Sequence, residues 1–245
     1  MTKKRIIICL TFLDGVLFRT KKFIPDYRYT KNFIDLWSID ELILIDISKM
    51  KFSKNFLEIV NFYSKNCFVP ISVGGGISSL SDVDLLYKNG ADKIILGSDK
   101  LFDQNLSDQI TRKYGNQSLI QSLDFKMTKN VYEVFGKSST KKMNLTIKES
   151  ILKSMKNSVG EILVNNIDRD GSLLGYDLDL VSEIKKFSKN PILVLGGAGN
   201  WQHILDLFKN TDVSGACTQN IFHFTENSIA SAKKFLIDNG IHIRS

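Results

Sequence analysis

Cysteine, histidine and proline are scarce in this sequence, with three residues of each. The cysteines each lie in an apolar run, without the spacing of a metal site: Cys9, Cys67 and Cys217. This usage predicts reduced core residues, as in a protein from a reducing compartment. The histidines are scattered along the chain: His203, His223 and His242. We therefore expect no zinc site, no other metal and no cofactor.

Long apolar runs are also absent. Residues 1–5 are basic, but the apolar run that follows spans only residues 6–10. That length is too short for a signal peptide, and no run in the sequence reaches the length of a membrane-spanning helix. We expect a cytoplasmic protein that is not inserted in a membrane.

Acidic residues are outnumbered, since 33 basic and 26 acidic residues give a formal charge of +7. A solvated, lysine-rich surface is the simplest explanation, and attraction of a phosphorylated substrate is the alternative. No nucleic-acid-binding motif accompanies the charge, which disfavours a nucleic-acid partner.

A glycine-rich turn organises the sequence. Gly74-Gly75-Gly76 follows an apolar run and precedes a helical pattern, and such a turn lets backbone N–H groups approach an anion. A second turn, Gly196-Gly197-Ala198-Gly199, lies 122 residues later in the same context. The repeat indicates a duplicated half-structure, with halves at about 1–115 and 116–245.

Eight strand–helix units with no linker predict a single (β/α)₈ barrel domain over residues 1–245. The predicted strands are 5–11, 41–47, 67–71, 93–96, 117–124, 161–165, 192–195 and 213–217. The predicted helices include 31–37, 52–65, 101–113, 147–155, 201–208 and 227–237. Residues 12–30 are predicted as a loop, and 131–135 as part of a hairpin above the barrel. The active site of such a barrel lies at the carboxyl ends of the strands.

Acidic residues stand at or just after three of those strand ends. Asp124 ends an apolar strand, where a carboxylate has a catalytic role or else caps a loop or helix. Asp46 has the same placement, but it could serve only to hydrogen-bond neighbouring loops. Residues 168–171, Asp-Arg-Asp-Gly, form either a simple turn or a clamp for phosphate and substrate.

The motifs together resemble one family. The run at 4–10, both glycine turns, Ile-Asp-Arg-Asp-Gly at 167–171 and Ile-Phe-His-Phe at 221–224 are similar to the cyclase (synthase, HisF) subunit of imidazole glycerol phosphate synthase. The similarity covers nearly the whole chain. It implies a two-fold-repeated barrel that pairs with a glutaminase subunit as a heterodimer, receives ammonia through the barrel and takes a substrate with a phosphate at each end.

The resemblance also assigns residues. It implies one phosphate near Gly76, Gly97 and Ser98. It implies the other near Asp170, Gly171, Gly197, Gln219 and Asn220. Asp46, chosen for its position at a strand end, is also predicted to bind phosphate or substrate.

Several positions depart from the family pattern. The family's acid/base pair is two aspartates at the ends of strands one and five; Asp124 matches the second, but Thr11 stands at the first. A hydroxyl cannot replace a carboxylate as general acid or base. The family's first-loop lysine is Arg19, which keeps the charge but cannot deprotonate. Leu195, Gln219 and Asn220 replace small residues, which predicts a smaller or different ligand at the second phosphate position.

Four charges at the lower strand ends match the ring that the family places at its ammonia entrance: Arg5, Glu41, Lys93 and Glu161. A salt-bridged barrel floor is the structural alternative to an ammonia gate.

Three functions remain open from the sequence. The lost carboxylate favours a paralogue that keeps the glutaminase and supplies ammonia for amidination of an N-acetyl sugar in surface-polysaccharide synthesis, beside a separate sugar amidotransferase. The alternatives are the cyclase of histidine biosynthesis, and a non-catalytic scaffold that activates the glutaminase.

Overall fold

The fold is a closed ring of eight parallel strands. The computed structural model describes residues 3–22, 24–28, 38–48, 52–137, 140–219 and 229–244. Within these ranges the strands, in chain order, are β1 (Arg5–Leu13), β2 (Val16–Lys21), β3 (Ile24–Arg28), β4 (Glu41–Asp46), β5 (Ile71–Gly74), β6 (Lys93–Leu96), β7 (Leu119–Thr128), β8 (Val131–Gly136), β9 (Lys141–Lys142), β10 (Glu161–Asn166), β11 (Ile192–Leu195) and β12 (Gly215–Thr218). The ring runs β1-β4-β5-β6-β7-β10-β11-β12, and β12 pairs with β1. The predicted (β/α)₈ barrel is confirmed.

Helices surround the ring. Those described are α1 (Lys54–Asn66), α2 (Leu80–Lys88), α3 (Gln104–Tyr114), α4 (Ile147–Lys156), α5 (Leu178–Lys185), α6 (Trp201–Asn210) and α7 (Ile229–Asp238), with 3-10 turns at Ser98–Phe102 and Asn116–Ser118. Short polar side chains cap them, as Ser79 and Asp82 do in the capping box of α2. None of the described helices has the length and apolar character that a membrane crossing requires.

The strands are buried on both faces because they separate two cores. In β1, Ile6, Ile8 and Leu10 belong to the outer core between strands and helices. Ile7 and Cys9 belong to a small core inside the barrel. This alternation explains why the strands have continuous apolar sequences rather than a period of two.

The predicted loop at 12–30 is wrong in its described part. β1 continues to Leu13 and forms a hairpin with β2, and β3 pairs with β2. Asp14 and Gly15 both have positive φ, at 50° and 76°, as the tight turn of such a hairpin requires. The Asp-Gly pair is a sequence signal for a hairpin turn, but the flanking residues show no strand periodicity, and a loop was therefore predicted.

A second hairpin follows the fifth barrel strand, as predicted above the barrel. β7 pairs with β8 across the turn Lys129-Asn130, and both turn residues have positive φ. The two hairpins thus leave from the first and fifth strands of the ring. This placement agrees with the predicted half-barrels at about 1–115 and 116–245, which stay a prediction.

The third predicted strand is wrong in its position along the chain. Residues 67–70 connect α1 to the barrel, and the strand β5 begins only at Ile71. Phe68 is 81% exposed, so the apolar run predicted burial for a residue at the surface. The predicted helix 31–37, the motif 221–224 and Asn220 lie outside the described residues.

Candidate functional site

A cavity of about 430 Å³ opens at the carboxyl ends of the strands. Residues from both halves of the chain line it, and the predicted site residues among them are Thr11, Asp46, Gly76, Gly97, Asp124, Asp170, Gly171, Gly197 and Gln219. The barrel topology is what brings them together, because the ends of all parallel strands meet at one face.

Asp124 is a buried carboxyl group in this cavity. Its side chain accepts a hydrogen bond of 3.1 Å from Asn165 Nδ2, and its backbone N–H donates to Ser98 Oγ at 2.9 Å. Burial raises the pKa of Asp124 to about 6; the negative charges of Asp99 and Asp170 add to the increase, and the Asn165 hydrogen bond opposes it. A carboxyl group with such a pKa can both take up and release a proton near neutral pH.

Thr11 stands where the resemblance requires the second carboxylate. Its hydroxyl donates to the Phe18 carbonyl at 2.6 Å, and it lies 3.5 Å from Gln219 Oε1. Gln219 Nε2 donates to the same carbonyl at 2.8 Å. Two side chains therefore tie the first hairpin to the barrel at this position, and Thr11 contributes no ionisable group.

Two predicted binding residues do not line the cavity. Arg19 forms an ion pair with Asp26 on the neighbouring hairpin strand. Ser98 is buried, and its hydroxyl donates to the Ser122 carbonyl at 3.3 Å while accepting from Asp124 N–H. Ser98 thus positions Asp124, and the predicted phosphate roles of both residues remain predictions.

Asp46 lines the cavity but has a local structural function too. Its carboxylate accepts hydrogen bonds from the N–H groups of Ser48 at 2.8 Å and Ser53 at 3.4 Å. Asn166 holds the corresponding loop after the sixth barrel strand, accepting from Asp168 N–H and Arg169 N–H. Asp46 therefore forms the loop hydrogen bonds that the sequence offered as the alternative to substrate binding, and its contact with substrate stays a prediction.

Sequence reasoning missed Asp99. This residue lines the cavity beside Gly97, and a Cβ at Gly97 would lie 2.9 Å from Asp99 Oδ1. Its position two residues after the predicted phosphate-binding Gly97 was the available signal. Lys100 and Lys137 also line the cavity, so cations stand near this carboxylate.

The thiols inside the barrel are not reactive groups. Burial raises the pKa of Cys9 to about 12 and that of Cys217 well above its usual value. Since the thiolate is the nucleophile, neither residue is suited to covalent catalysis at neutral pH.

The glycine turns bring backbone segments into close contact. Gly75 has φ +104°, and a Cβ there would lie 2.1 Å from the Asp46 carbonyl oxygen. Gly197 has φ +103°, and its Cβ would lie 2.1 Å from the Gly175 carbonyl oxygen. These positions require glycine for packing of the strand-end loops, independently of any anion.

We expect Gly75→Ala to destabilise the fold much more than Gly240→Ala. Gly240 also has positive φ, at +83°, but nothing lies within 4 Å of its would-be Cβ. Gly240→Ala should therefore cost only the backbone strain of about 1–2 kcal/mol, and Gly75→Ala should cost that plus the steric clash. Urea unfolding of both variants measures the difference, and equal losses would contradict the packing role of Gly75.

The opposite end of the barrel carries a closed ring of ion pairs, which we call the floor ring: Arg5, Glu41, Lys93 and Glu161. Arg5 pairs with Glu41 at 2.8 Å and with Glu161, and Lys93 pairs with Glu41 at 3.0 Å and Glu161 at 2.7 Å. Ser72 Oγ also donates to Glu41 at 2.9 Å. The neighbouring cations hold the pKa of Glu161 below its usual value despite partial burial.

Fold and site define a (β/α)₈ barrel with the buried carboxyl groups of Asp46 and Asp124 in its upper cavity and a charged floor below an apolar interior. A family model described as histidine biosynthesis protein matches residues 8–228. The imidazole glycerol phosphate synthase subunit HisF of Natranaerobius thermophilus is 32% identical over 250 residues, and the match covers 100% of both chains. The HisF subunits of Pelodictyon phaeoclathratiforme and Metallosphaera sedula are 34% and 32% identical, again over 100% of both chains. The chain belongs to this histidine biosynthesis protein family and is HisF-like over its whole length.

Proposed function

We propose that this chain is the ammonia-accepting synthase subunit of a glutamine amidotransferase complex. A HisH-like glutaminase would bind at the floor and release ammonia there. The floor ring would admit it, and the barrel interior would lead it to the cavity. Relatives named as subunits of imidazole glycerol phosphate synthase support the assembly with a partner.

The observation that carries the choice of reaction is the hydrogen bonding of Thr11. Its hydroxyl is directed to the Phe18 carbonyl, and the cavity keeps only Asp124 of the acid/base pair that the resemblance implies. Loss of one such group costs about 10²–10⁴-fold in rate. We infer that the reaction differs from ring closure of the histidine pathway, and that ammonia is supplied for amidination of an N-acetyl sugar in surface-polysaccharide synthesis, with a separate sugar amidotransferase as a further partner.

The second candidate is the cyclase of histidine biosynthesis itself. The buried Asp124, whose pKa of about 6 suits proton transfer, and the full-length similarity to HisF favour it. In that reaction Asp124 would act with a group other than Thr11, and the candidates are Asp99 and Asp170, which line the cavity and whose charges act on Asp124.

The test is ammonia-dependent turnover of the bis-phosphorylated histidine-pathway intermediate by the purified chain. We expect no turnover by the wild type, and activity in Thr11→Asp once Gln219→Ser is added. The second change is needed because a carboxylate at position 11 would face two oxygens, Phe18 O and Gln219 Oε1, within the present network. Thr11→Ser serves as the control, since it keeps the hydroxyl. Robust wild-type turnover would reject the amidination proposal in favour of the cyclase.

A further inference from the structure

The net positive charge of this protein comes from its two hairpins, because basic and acidic residues are equal in number elsewhere. The first hairpin, residues 16–28, has four basic residues and one acidic residue; the second hairpin, residues 125–142, has five and one. Their nine basic and two acidic residues give +7, the formal charge of the whole chain, and leave 24 of each sign elsewhere. The charge is therefore not that of a uniformly lysine-rich surface.

The two hairpins flank the mouth of the cavity from opposite sides. They leave from β1 and β7, which are separated by three strands in either direction around the ring. Each hairpin contributes to the cavity lining, the first through Thr20 and the second through Lys137.

Residues 167–175, which we call loop six, join the hairpins into one rim. Met127 N–H of the second hairpin donates to Asp168 Oδ2 at 2.9 Å. Lys22 N–H of the first hairpin donates to the Asp170 carbonyl at 3.3 Å. Gly171 packs so closely on the first hairpin that a Cβ would lie 2.6 Å from the Thr20 carbonyl oxygen. The rim is thus a connected surface.

Much of the rim's charge is not neutralised within the described residues. Arg19 pairs with Asp26, and Lys142 pairs with Glu133 at 2.5 Å. Among the residues that the structure describes, six exposed basic side chains of the hairpins have no ion-pair partner: Lys21, Lys22, Arg28, Lys129, Lys137 and Lys141.

Large apolar side chains are exposed on the same rim. Ile24 on the first hairpin is 67% exposed, Val131 on the second is 60% exposed, and Leu174 on loop six is 73% exposed. A small anion would be bound by the cations alone and would leave these side chains in water. Basic residues interspersed with exposed apolar residues fit a protein interface better.

We propose that the rim is a docking surface for a protein with an acidic, partly apolar face, seated over the mouth of the cavity. The proposal rests on the proposed function, in which ammonia reaches this end of the barrel, and it assigns the cavity mouth to the protein that uses the ammonia. Complementary charge would steer the encounter and set the orientation of the partner.

The experiment starts with photo-crosslinking in cells that contain the full complex. A photoreactive residue replaces Ile24 in one strain and Val131 in another, and Leu152 on the outside of α4, 45% exposed, is the control position. The protein crosslinked from both hairpins is then purified, and its affinity for wild type and for Lys129→Glu/Lys141→Glu is measured. We expect the charge reversal to weaken binding at least tenfold at low salt, and the difference to shrink as salt screens the charges. The matched control Lys148→Glu/Lys234→Glu, on α4 and α7, should bind as wild type does.

Other outcomes overturn the proposal. The proposal fails if no protein crosslinks from both hairpins, or if the charge reversal leaves the partner's affinity unchanged. It also fails if the partner is the glutaminase or a second copy of this chain. Binding of inorganic pyrophosphate is also measured. If pyrophosphate binds the wild type but binds Lys129→Glu/Lys141→Glu more weakly, and no protein partner is common to both hairpins, the rim binds a small anion instead. Stimulation of glutamine hydrolysis by the purified barrel is measured in parallel. Its absence in the wild type would count against the proposed function, and it should be unchanged in Lys129→Glu/Lys141→Glu.

Discussion

Asp124→Asn should remove the synthase reaction and at the same time stabilise the folded protein at alkaline pH. As the acid/base group, Asp124 should be worth about 10²–10⁴-fold in rate. Asparagine keeps an acceptor for the Asn165 hydrogen bond but cannot exchange a proton. Product accumulation in cells complemented with the variant measures the first effect. Full function would support the scaffold alternative, in which the barrel only activates the glutaminase.

The stability effect follows from the raised pKa of Asp124. Because the folded-state pKa is raised from 3.8 to about 6, the folded protein holds the proton more tightly than the unfolded chain does. This contribution to stability is complete below about pH 4 and is lost as the pH rises through 6. A shift of that size corresponds to about 3 kcal/mol at most. Asp124→Asn should therefore gain up to that much over wild type at pH 8 and almost nothing at pH 4, as urea unfolding at the two values would measure. A stability difference that does not change with pH would mean that burial does not raise the pKa of Asp124.

Arg5→Ala should destabilise the barrel and uncouple it from glutamine hydrolysis. Without Arg5, Glu41 and Glu161 share a single cation, Lys93, in a largely buried position. Breaking a buried ion-pair network in this way costs about 3–5 kcal/mol. The neighbouring Lys4→Ala is the matched control, because Lys4 pairs with Asp212, whose side chain is 85% exposed. Its loss should cost less than about 1 kcal/mol.

The functional part of this prediction separates the two roles of the floor ring. If the ring admits ammonia, Arg5→Ala should reduce glutamine-dependent turnover more than turnover with added ammonium salt. Equal reduction of both activities would assign the ring to stability alone. Lys4→Ala should leave the ratio of glutamine-dependent to ammonium-dependent turnover unchanged.

The sequence alone determined the barrel and the bounds of two of its strands. The buried strands β6 and β11 have the predicted bounds, because apolar residues on both faces leave few alternatives once helical patterns flank them. Asp124 was found because a carboxylate at the end of an apolar strand has few structural explanations, whereas the family resemblance pointed to the four charges of the floor ring. The strand 67–71 was misplaced because apolar character does not distinguish a buried strand from a connection whose Phe68 is at the surface.

Tertiary structure decided what those residues do. Burial inside the cavity raises the pKa of Asp124, and Asp99 at the neighbouring strand end adds to the increase. The Phe18 carbonyl accepts a hydrogen bond from the Thr11 hydroxyl, seven residues away in the chain. Such contacts depend on distances between chain segments, which a sequence pattern does not contain. Composition gives the net charge of +7, but it does not show where on the protein surface that charge lies. Only the fold places the two charged hairpins on opposite strands of one ring, at the mouth of one cavity.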